Sequence, residues 1–382
     1  MNRLKLLCIA LVSIGAVFQS MLGQDTKTFL FVGSYTDGQK ATGISVYQFD
    51  YMSGGLTLLE EVGNLVNLSF LTLSRNGKYL YAATEARLET PGSVSAFEID
   101  PSNGSLLFLN KQTTKGKNPV HVVVDNDGKY LVSSNYTDPM IGLFQCEADG
   151  SLTPILQSIK FEGSSVVAPN QNSAHLHSSN FGPEGKYILS PDLGADKIRV
   201  FSLDQEKGKL MVEENLTLDT QKGAGPRHLT FHPNGNFAYC VEELSGTVTA
   251  YGYNDGKLTL IDTYFSYSKK SEGIYHGADI HISPDGLFAY VSNRLKEENT
   301  IAIFSIDPHT GELTLQGHQS TLGEVPRNFV IDPTGKFLLV ANLTSGTIVV
   351  FRRDEKTGLL SYTGNKIEVG LPACLKMKTF KD

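Results

Sequence analysis

Short runs of β-branched and aromatic residues alternate with Gly-, Asn-, Asp- and Pro-rich turns along the chain, and this pattern repeats six times. In each repeat an apolar run reaches a tight turn containing glycine, and a second run begins with an aromatic residue two positions later. The turn glycines are Gly77, Gly128, Gly185, Gly235, Gly286 and Gly335, which are separated by 51, 57, 50, 51 and 49 residues. Two more short β-rich runs follow in each repeat. Four strands bounded by turn residues predict one antiparallel sheet in each repeat. A repeat of about 50 residues with four strands is typical of the blades of a β-propeller.

The two ends of the chain supply the strands of one further blade. The run 28–32 matches the second strand of a repeat, and 372–377 matches a first strand such as 119–124. We therefore expect an all-β, seven-bladed β-propeller of four-stranded antiparallel blades, closed where the C-terminal strand joins the N-terminal blade. Closure also removes a pair of free sheet edges. An open array of β-sandwiches is the alternative.

Residues 1–23 have the pattern of an export signal, since Arg3 and Lys5 precede an apolar stretch at 6–18 and polar residues follow. These 13 apolar residues are too few to span a membrane, so no stable membrane anchor is predicted. We expect cleavage near Gly23, one propeller domain over 24–382, and a periplasmic or extracellular protein. A buried N-terminal helix, with a cytoplasmic location, is the alternative.

Composition narrows the range of partners. The formal net charge is -7, from 33 Lys and Arg against 40 Asp and Glu, and no long basic run is present, so nucleic acid is not an expected partner. The absence of Trp removes the signature of WD40 repeats. Beyond residue 23, Cys146, Cys240 and Cys374 do not suggest a disulfide framework. The last two fall in predicted strands and are expected in the core.

Chemistry is expected at one mouth of the central channel. The first strand of each blade lines the channel, and its start lies on the same face as the end of the second strand, because the two form an antiparallel hairpin. Rigid scaffolds often carry function in such loops. Before first strands stand His175, His177, Arg227, His228, His276, Asp279, Arg327 and Asn328. After second strands stand Glu85, Asn135, Asp192, Glu242, Glu243, Asn293, Arg294 and Asn342.

Three of these residues share one register. His177, Arg227 and Arg327 each stand eight residues before a turn glycine, so three blades present a basic or titratable group at one level. Because arginine matches carboxylate and phosphate geometry, this mouth is a candidate anion site. Alternatively, the arginines cap neighbouring blades through carboxylates such as Glu243, and His177 is a buried structural histidine. Strand alternation allows at most one of Glu242 and Glu243 to face the site.

Other chemistries have weaker support. His175 and His177 could place two imidazoles on one side of a strand, but no carboxylate or cysteine at a recognisable spacing completes a metal site. Neither a Gly-x-Ser-x-Gly elbow nor a Gly-x-x-x-x-Gly-Lys loop is present. We therefore predict no metal and no cofactor.

Several segments carry a family resemblance. The motifs are Ala-His-Leu-His-Ser at 174–178, Pro-Asp-Leu-Gly-Ala-Asp-Lys-Ile at 191–198, Gly-Pro-Arg-His-Leu at 225–229, Phe-His-Pro-Asn-Gly at 231–235 and Glu-Glu-Leu at 242–244. Together they resemble motifs of the seven-bladed β-propeller lactonase family, which includes the propeller type of 6-phosphogluconolactonase and, more distantly, a fungal muconate-lactonising enzyme. The resemblance runs from about residue 28 to the C-terminus.

The resemblance implies a catalytic site of one His, two Arg and one Glu, corresponding to His177, Arg227, Glu243 and Arg294. It implies hydrolysis of a sugar lactone by water, with Glu243 or His177 as general base. Arg227 and Arg294 would stabilise the oxyanion or hold an anionic group of the substrate. Position 242 departs from relatives, which often have Asn where this chain has Glu.

A second set of residues is expected to bind the substrate: His175, His228, Arg327, Asn293 and Asp192. The expected partner is a small sugar lactone, either 6-phosphoglucono-1,5-lactone or an unphosphorylated aldonolactone. Phosphorylated sugar lactones should be scarce outside the cytoplasm, so either the export prediction is wrong or the substrate is an unphosphorylated or different lactone, and the sequence does not choose between the two. The competing functions are a lactonising cycloisomerase and an exported propeller that binds glycan or protein. The sequence leaves the oligomeric state open.

Overall fold

The computed structural model describes residues 26–381 except 37–41, 270–272 and 274, so the predicted export signal at 1–23 lies outside the described residues. Regular structure in the described part of the chain consists of β-strands. No helix long and apolar enough to cross a membrane occurs there.

Seven antiparallel sheets form the blades of a ring, and the first strand of each blade lies at the channel. Blade 1 contains, from the channel outward, β29 (Leu371–Lys381), β1 (Thr26–Tyr35), β2 (Ile44–Asp50) and β3 (Gly55–Val62). Blade 2 contains β4 (Phe70–Leu73), β5 (Tyr79–Thr84), β6 (Pro91–Ile99) and β7 (Leu106–Lys117). Blade 3 contains β8 (Pro119–Val124), β9 (Tyr130–Asn135), β10 (Met140–Gln145) and β11 (Gln157–Lys160).

The other four blades complete the ring. Blade 4 contains β12 (Asn180–Phe181), β13 (Tyr187–Asp192), β14 (Lys197–Asp204), β15 (Lys209–Val212) and the short β16 (Leu218–Asp219), which pairs with β14. Blade 5 contains β17 (Pro226–Phe231), β18 (Phe237–Glu242), β19 (Thr247–Asn254) and β20 (Lys257–Phe265). Blade 6 contains β21 (Gly277–Ile282), β22 (Phe288–Leu295), β23 (Glu298–Ile306) and β24 (Leu313–Ser320). Blade 7 contains β25 (Pro326–Ile331), β26 (Phe337–Asn342), β27 (Thr347–Arg353) and β28 (Leu360–Glu368).

The predicted ring closure is confirmed. Strand β29 pairs antiparallel with β1, so that Leu375 lies opposite Val32 and Met377 opposite Leu30. The six predicted turns are also present, and each turn glycine has a φ between 71° and 77°. Only glycine adopts this left-handed conformation without steric cost, which explains its recurrence at each hairpin between the first and second strands.

The core lies between the blades. Strands β18 and β26 are buried along their whole length, because both faces pack against neighbouring blades, whereas the outer strand β28 is largely exposed. Between blades 6 and 7, for example, Tyr290 and Ile303 pack in one cluster with Leu338 and Val349. The cysteines at 146, 240 and 374 are buried and unpaired, as expected for the last two.

A bulge near the start of the first strand is shared by several blades. In blade 5, Pro226 pairs with Glu242 and His228 with Val241, which leaves Arg227 as the extra residue. The same irregularity isolates Val120, Arg327 and Ala373, each directly after a proline. Bulges redirect side chains, and proline is tolerated at the first position of a strand.

The observed strand pairing shows that several strands begin earlier or end later than the sequence predicted. Arg227, His228, Asp279, Arg327 and Asn328 lie inside first strands rather than before them. Asn293 and Arg294 lie inside the second strand of blade 6, which extends to Leu295. The two strands of the hairpin therefore hold these residues directly, with less freedom than loop residues have.

Ring closure predicts a large effect of truncating Leu375. This side chain is buried between blades 1 and 7, so Leu375→Ala should lower the free energy of unfolding by about 2–5 kcal/mol in urea titrations. Leu260→Ala is the control, because Leu260 is 62% exposed on an outer strand. Equal effects of the two substitutions would contradict the closure assigned to β29.

Candidate active site

The bulges bring side chains from several blades to one pocket in the channel. Its lining comprises Ser69, Phe70, Val120, Arg227, His228, Arg327, Asn328 and Ala373. Four of these are the extra residues of bulges, and the others stand at or next to the same register in their blades. The pocket therefore forms because the same β-bulge recurs in several blades.

Glu243 joins two arginines at this end of the channel. Its Oε2 lies 2.8 Å from Arg227 Nε and 3.0 Å from Arg294 Nη2, while Oε1 lies 3.9 Å from His276 Nδ1. The Arg227 contact is an ion pair without hydrogen-bond geometry, because the Nε–H does not point at the oxygen. Arg227 donates instead to the carbonyl of Ala278 through Nη1. Blades 5 and 6 are thus linked through one carboxylate.

The electrostatics of Glu243 follow from these contacts. Burial by itself would raise the pKa of this carboxyl, but Arg294, His276 and Arg227 together hold it far below its usual value. Burial and the charge of Arg294 lower the pKa of Arg227 to about 9, against the opposing effect of Glu243, so the guanidinium stays charged at neutral pH. Glu243 is therefore ionised at neutral pH, and its carboxylate oxygens are engaged by neighbouring cationic side chains.

The neighbouring carboxyl points elsewhere. Glu242 is buried, pairs with Pro226 across the hairpin, and accepts a hydrogen bond from Thr247. Burial raises the pKa of Glu242. The alternation expected between Glu242 and Glu243 is therefore seen in their contacts.

Two histidines lie beside the arginines. His177 is buried, its Nδ1 has no hydrogen-bond partner among the described residues, and its ring contacts Tyr136 and His228 edge to face. His228 Nδ1 lies 2.8 Å from Asp279 Oδ1. Burial and the charge of Arg227 hold the pKa of His177 well below its usual value and lower that of His228 to about 4. Both imidazoles are neutral at pH 7.

Arg327 differs from the other two arginines. Its guanidinium carbon lies 5.5 Å from the centroid of the Tyr35 ring, and no carboxylate of the described residues forms an ion pair with it. Since Glu243 serves both Arg227 and Arg294, the three arginines exceed the two nearby carboxylates of the described residues, those of Glu243 and Asp279, and leave a net positive charge here. A net positive charge is what the anion site predicted from the sequence requires.

The other predicted binding residues have mainly structural contacts. Asp192 pairs with Arg199 at 2.8 Å and accepts a hydrogen bond from the His175 backbone. His175 donates from Nδ1 to the Tyr136 carbonyl, and its ring stacks on Tyr136 at 4.1 Å. Asn293 is buried and donates to the Ser266 carbonyl. The described residues contain no group of three or more His, Cys, Asp or Glu side chains that could hold a metal ion.

The sequence analysis named His228, Asp279 and Asn328 as channel residues but did not recognise that they share one register with Phe70, His121 and Ser178. Residues seven positions before the turn glycines are Phe70, His121, Ser178, His228, Asp279 and Asn328. Within this set, His121 packs on Phe70 at 4.1 Å, and Asp279 contacts both His228 and Asn328. The signal was present in the repeat, one residue after the register that contains Arg227. Tyr136 contacts His175 and His177, but the repeat pattern gave no reason to select it from the sequence.

Comparison with known proteins agrees with this fold and its repeats. The family model for the seven-bladed β-propeller lactonases matches residues 29–377, and the chain belongs to this family. A 6-phosphogluconolactonase from Formosa agariphila is 46% identical, over 92% of this chain and 99% of the relative. One from Bacillus subtilis is 33% identical, over 92% and 98%. The structure of a periplasmic gluconolactonase from Pseudomonas aeruginosa aligns with a TM-score of 0.87 at 33% identity, over 92% and 99%.

The ion pairs of Glu243 predict a pH-dependent loss of stability in Glu243→Gln. Removing one partner of a buried ion pair should lower the free energy of unfolding by about 3–5 kcal/mol at pH 7. The pKa of Glu243 is depressed by folding, so its contribution is present above the unfolded pKa of about 4.3 and is lost as the pH falls below it. Urea titrations of both proteins from pH 7 to pH 3 should show the deficit shrinking.

Glu242→Gln is the matched control for this experiment. The pKa of Glu242 is raised in the folded protein, so removing its charge should cost less at pH 7 than removing that of Glu243. Its effect should also not increase with pH. Equal and pH-independent deficits in the two variants would contradict the assigned ion pairs.

Proposed function

We propose that the chain hydrolyses a sugar lactone, 6-phosphoglucono-1,5-lactone, to the corresponding aldonic acid. The observation that carries this proposal is the cationic channel mouth, where Glu243 fixes Arg227 and Arg294 while no carboxylate of the described residues forms an ion pair with Arg327. The relatives named 6-phosphogluconolactonase, which align with nearly the whole propeller, support the same reaction.

The arginines are placed to stabilise developing negative charge. Attack of water on the lactone carbonyl puts charge on its oxygen, and donors held in advance stabilise that charge without further reorganisation. Arg294 is anchored by the His276 and Gly277 carbonyls as well as by Glu243. Arg227 is anchored by Ala278 and Glu243. Glu243 thus acts as a positioning residue, and the proton acceptor is a neutral imidazole of the channel.

Arg327 is assigned to the phosphate group of the substrate. Its guanidinium is half-buried, lines the pocket together with Arg227 and is held against an aromatic ring. A planar guanidinium matches phosphate oxygens in pairs, and its charge needs no protein carboxylate to be displaced first.

An unphosphorylated aldonolactone is the second candidate substrate. The similarity to a periplasmic gluconolactonase favours it, and so does the export signal that we propose for residues 1–23. The two substrates differ by the phosphate group alone, so Arg327 is the residue that separates them.

Arg327→Gln should therefore discriminate between the two candidates. Acid release from 6-phosphoglucono-1,5-lactone and from glucono-1,5-lactone is followed in a pH-stat, with spontaneous hydrolysis subtracted. KM for the phosphorylated lactone should rise by about 10–100-fold in this variant, as expected for loss of a charged hydrogen bond, while KM for the plain lactone stays the same.

Arg352→Gln is the control for Arg327→Gln. Arg352 also lies over an aromatic ring, that of Phe337 at 4.6 Å, but it is exposed on β27. This variant should behave as wild type with both lactones. A wild-type enzyme that prefers the plain lactone, or an equal rise of KM for both lactones in Arg327→Gln, would contradict the phosphate assignment.

Export makes a separate prediction. Expressed in a Gram-negative bacterium, the full chain should be recovered from the periplasm or the medium with an N-terminus near residue 24, whereas a chain lacking residues 1–23 should stay in the cytoplasm. N-terminal sequencing of the fractionated protein checks this, and an intact Met1 in the cytoplasmic fraction would contradict it.

A further inference from the structure

The channel contains a buried His–Asp pair that the arginine site does not use. We propose that His228, oriented by Asp279, is the general base that activates the hydrolytic water. This inference rests on the proposed lactone hydrolysis and names the residue that takes the proton.

The hydrogen bond to Asp279 sets the tautomer of His228. Asp279 Oδ1 lies 2.8 Å from His228 Nδ1, and an ionised carboxylate can only accept, so Nδ1 carries the proton and Nε2 keeps its lone pair. The other carboxylate oxygen, Oδ2, accepts from His281 Nε2 at 3.0 Å and from the Asn328 amide. Both oxygens of Asp279 are therefore fixed by neighbours, and the imidazole cannot turn without breaking this network.

The free nitrogen of His228 is buried and faces no partner. Nε2 has no hydrogen-bond partner among the described residues, and His228 lines the pocket beside Arg227 and Arg327. A buried acceptor left unsatisfied in a native protein calls for a ligand or a catalytic role. A water or substrate hydroxyl that reaches Nε2 would supply the missing hydrogen bond, and the side chains around the pocket must move apart to admit it, because the pocket as described leaves no room for a water molecule.

The surrounding charges keep this nitrogen unprotonated. Burial and the charges of Arg227 and Arg327 outweigh the effect of Asp279 and lower the pKa of His228 to about 4. Burial by itself would raise the pKa of Asp279, but His281 and His228 hold it well below its usual value, so the carboxylate stays ionised. The pair is therefore a neutral imidazole on a carboxylate at the pH where the enzyme would work.

The alternative bases lack one or more of these features. His177 contacts the His228 ring at 5.2 Å, but no carboxylate of the described residues orients it. His121 packs on Phe70, and its Nδ1 faces the backbone of Ser179 at 3.4 Å. Glu243 is engaged by two arginines. Among these four, His228 alone combines a tautomer fixed by a carboxylate with a ring nitrogen that has no hydrogen-bond partner among the described residues, on a residue that lines the pocket.

The step balances without any further reactant. His228 Nε2 takes a proton from water as the water oxygen bonds to the lactone carbonyl carbon, and the C=O electron pair moves to the oxygen facing Arg227 and Arg294. Collapse of this intermediate breaks the bond to the ring oxygen, which receives the proton from the imidazolium. Asp279 stays ionised and stabilises the imidazolium in between. The acid formed releases one proton to solvent, which the pH-stat records.

His228→Ala with imidazole rescue is the decisive test. On the better of the two lactones, kcat should fall by about 10²–10⁴-fold, and added imidazole should restore part of the rate with saturation, once its uncatalysed effect on the lactone is subtracted. His318→Ala is the matched control, because His318 is half-buried on β24 and donates to the Ser266 carbonyl outside the channel. It should show neither the loss nor the rescue.

Asp279→Asn and His177→Ala complete the set. Asp279→Asn should lower kcat by about 10²-fold with KM nearly unchanged, because the substrate is bound by the arginines and only the base is misaligned. His177→Ala should not respond to imidazole. Thermal unfolding followed by circular dichroism establishes whether each variant is folded. If Asp279→Asn does not fold, the imidazole rescue of His228→Ala still tests whether His228 is the general base.

The outcomes separate the two proposals. A folded His228→Ala that keeps wild-type kcat, or that loses activity without rescue, overturns the base assignment while lactone hydrolysis stands. The same follows if rescue occurs in His177→Ala instead. A wild-type protein with no rate above background on either lactone overturns the proposed function and the base assignment together.

Discussion

Pairing of the two chain ends is the constraint on which the rest of the structure depends. When β29 pairs with β1, the ring has a fixed circumference, and the first strands of seven blades face one narrow channel. Every blade then packs on two neighbours, which explains why middle strands such as β18 and β26 are buried along their whole length. A side chain on one first strand therefore meets side chains from blades that are distant in sequence.

The bulge brings the residues of the candidate site to one pocket of the ring. A regular first strand would alternate its side chains between the two neighbouring blades, and few would reach the channel. The extra residue turns Arg227 and Arg327 toward the pocket, and the next residue of each strand, His228 and Asn328, follows into it. The proline before each bulge fits because its missing N–H removes one ladder bond where the register already shifts.

Two carboxylates of the channel, Glu243 and Asp279, have different roles. Glu243 holds Arg227 and Arg294 in place and lowers the cost of burying them, since buried charges need partners. Asp279 holds His228, which remains neutral because burial and nearby cations disfavour its protonation. A cationic mouth with an adjacent neutral imidazole suits an ester-like substrate, because charge develops on the carbonyl oxygen while a proton must leave the water. Neither role requires a metal or a covalent nucleophile.

The sequence by itself determined the blade count, the ring closure and the register that contains His177, Arg227 and Arg327. These three features depend on local signals in the sequence. The signals are turn glycines with positive φ, aromatic residues after the turns, and apolar residues at every second position of the strands. From the sequence, ion pairs between Glu243 and the arginines could be stated as one alternative to an anion site. The geometry of these ion pairs could not be predicted.

Only the tertiary structure decided which polar residues face the pocket. Asp192 and Asn293 lie near the ends of second strands just as Arg294 does, yet their side chains turn to Arg199 and Ser266, whereas Arg294 pairs with Glu243. Asp279 was named from its place before a first strand, but its contact with His228 could not be predicted, because the two residues are 51 apart in sequence and meet through the packing of blades 5 and 6. Turns and strands form from neighbours in sequence, whereas the partner of a channel side chain is set by the closed ring.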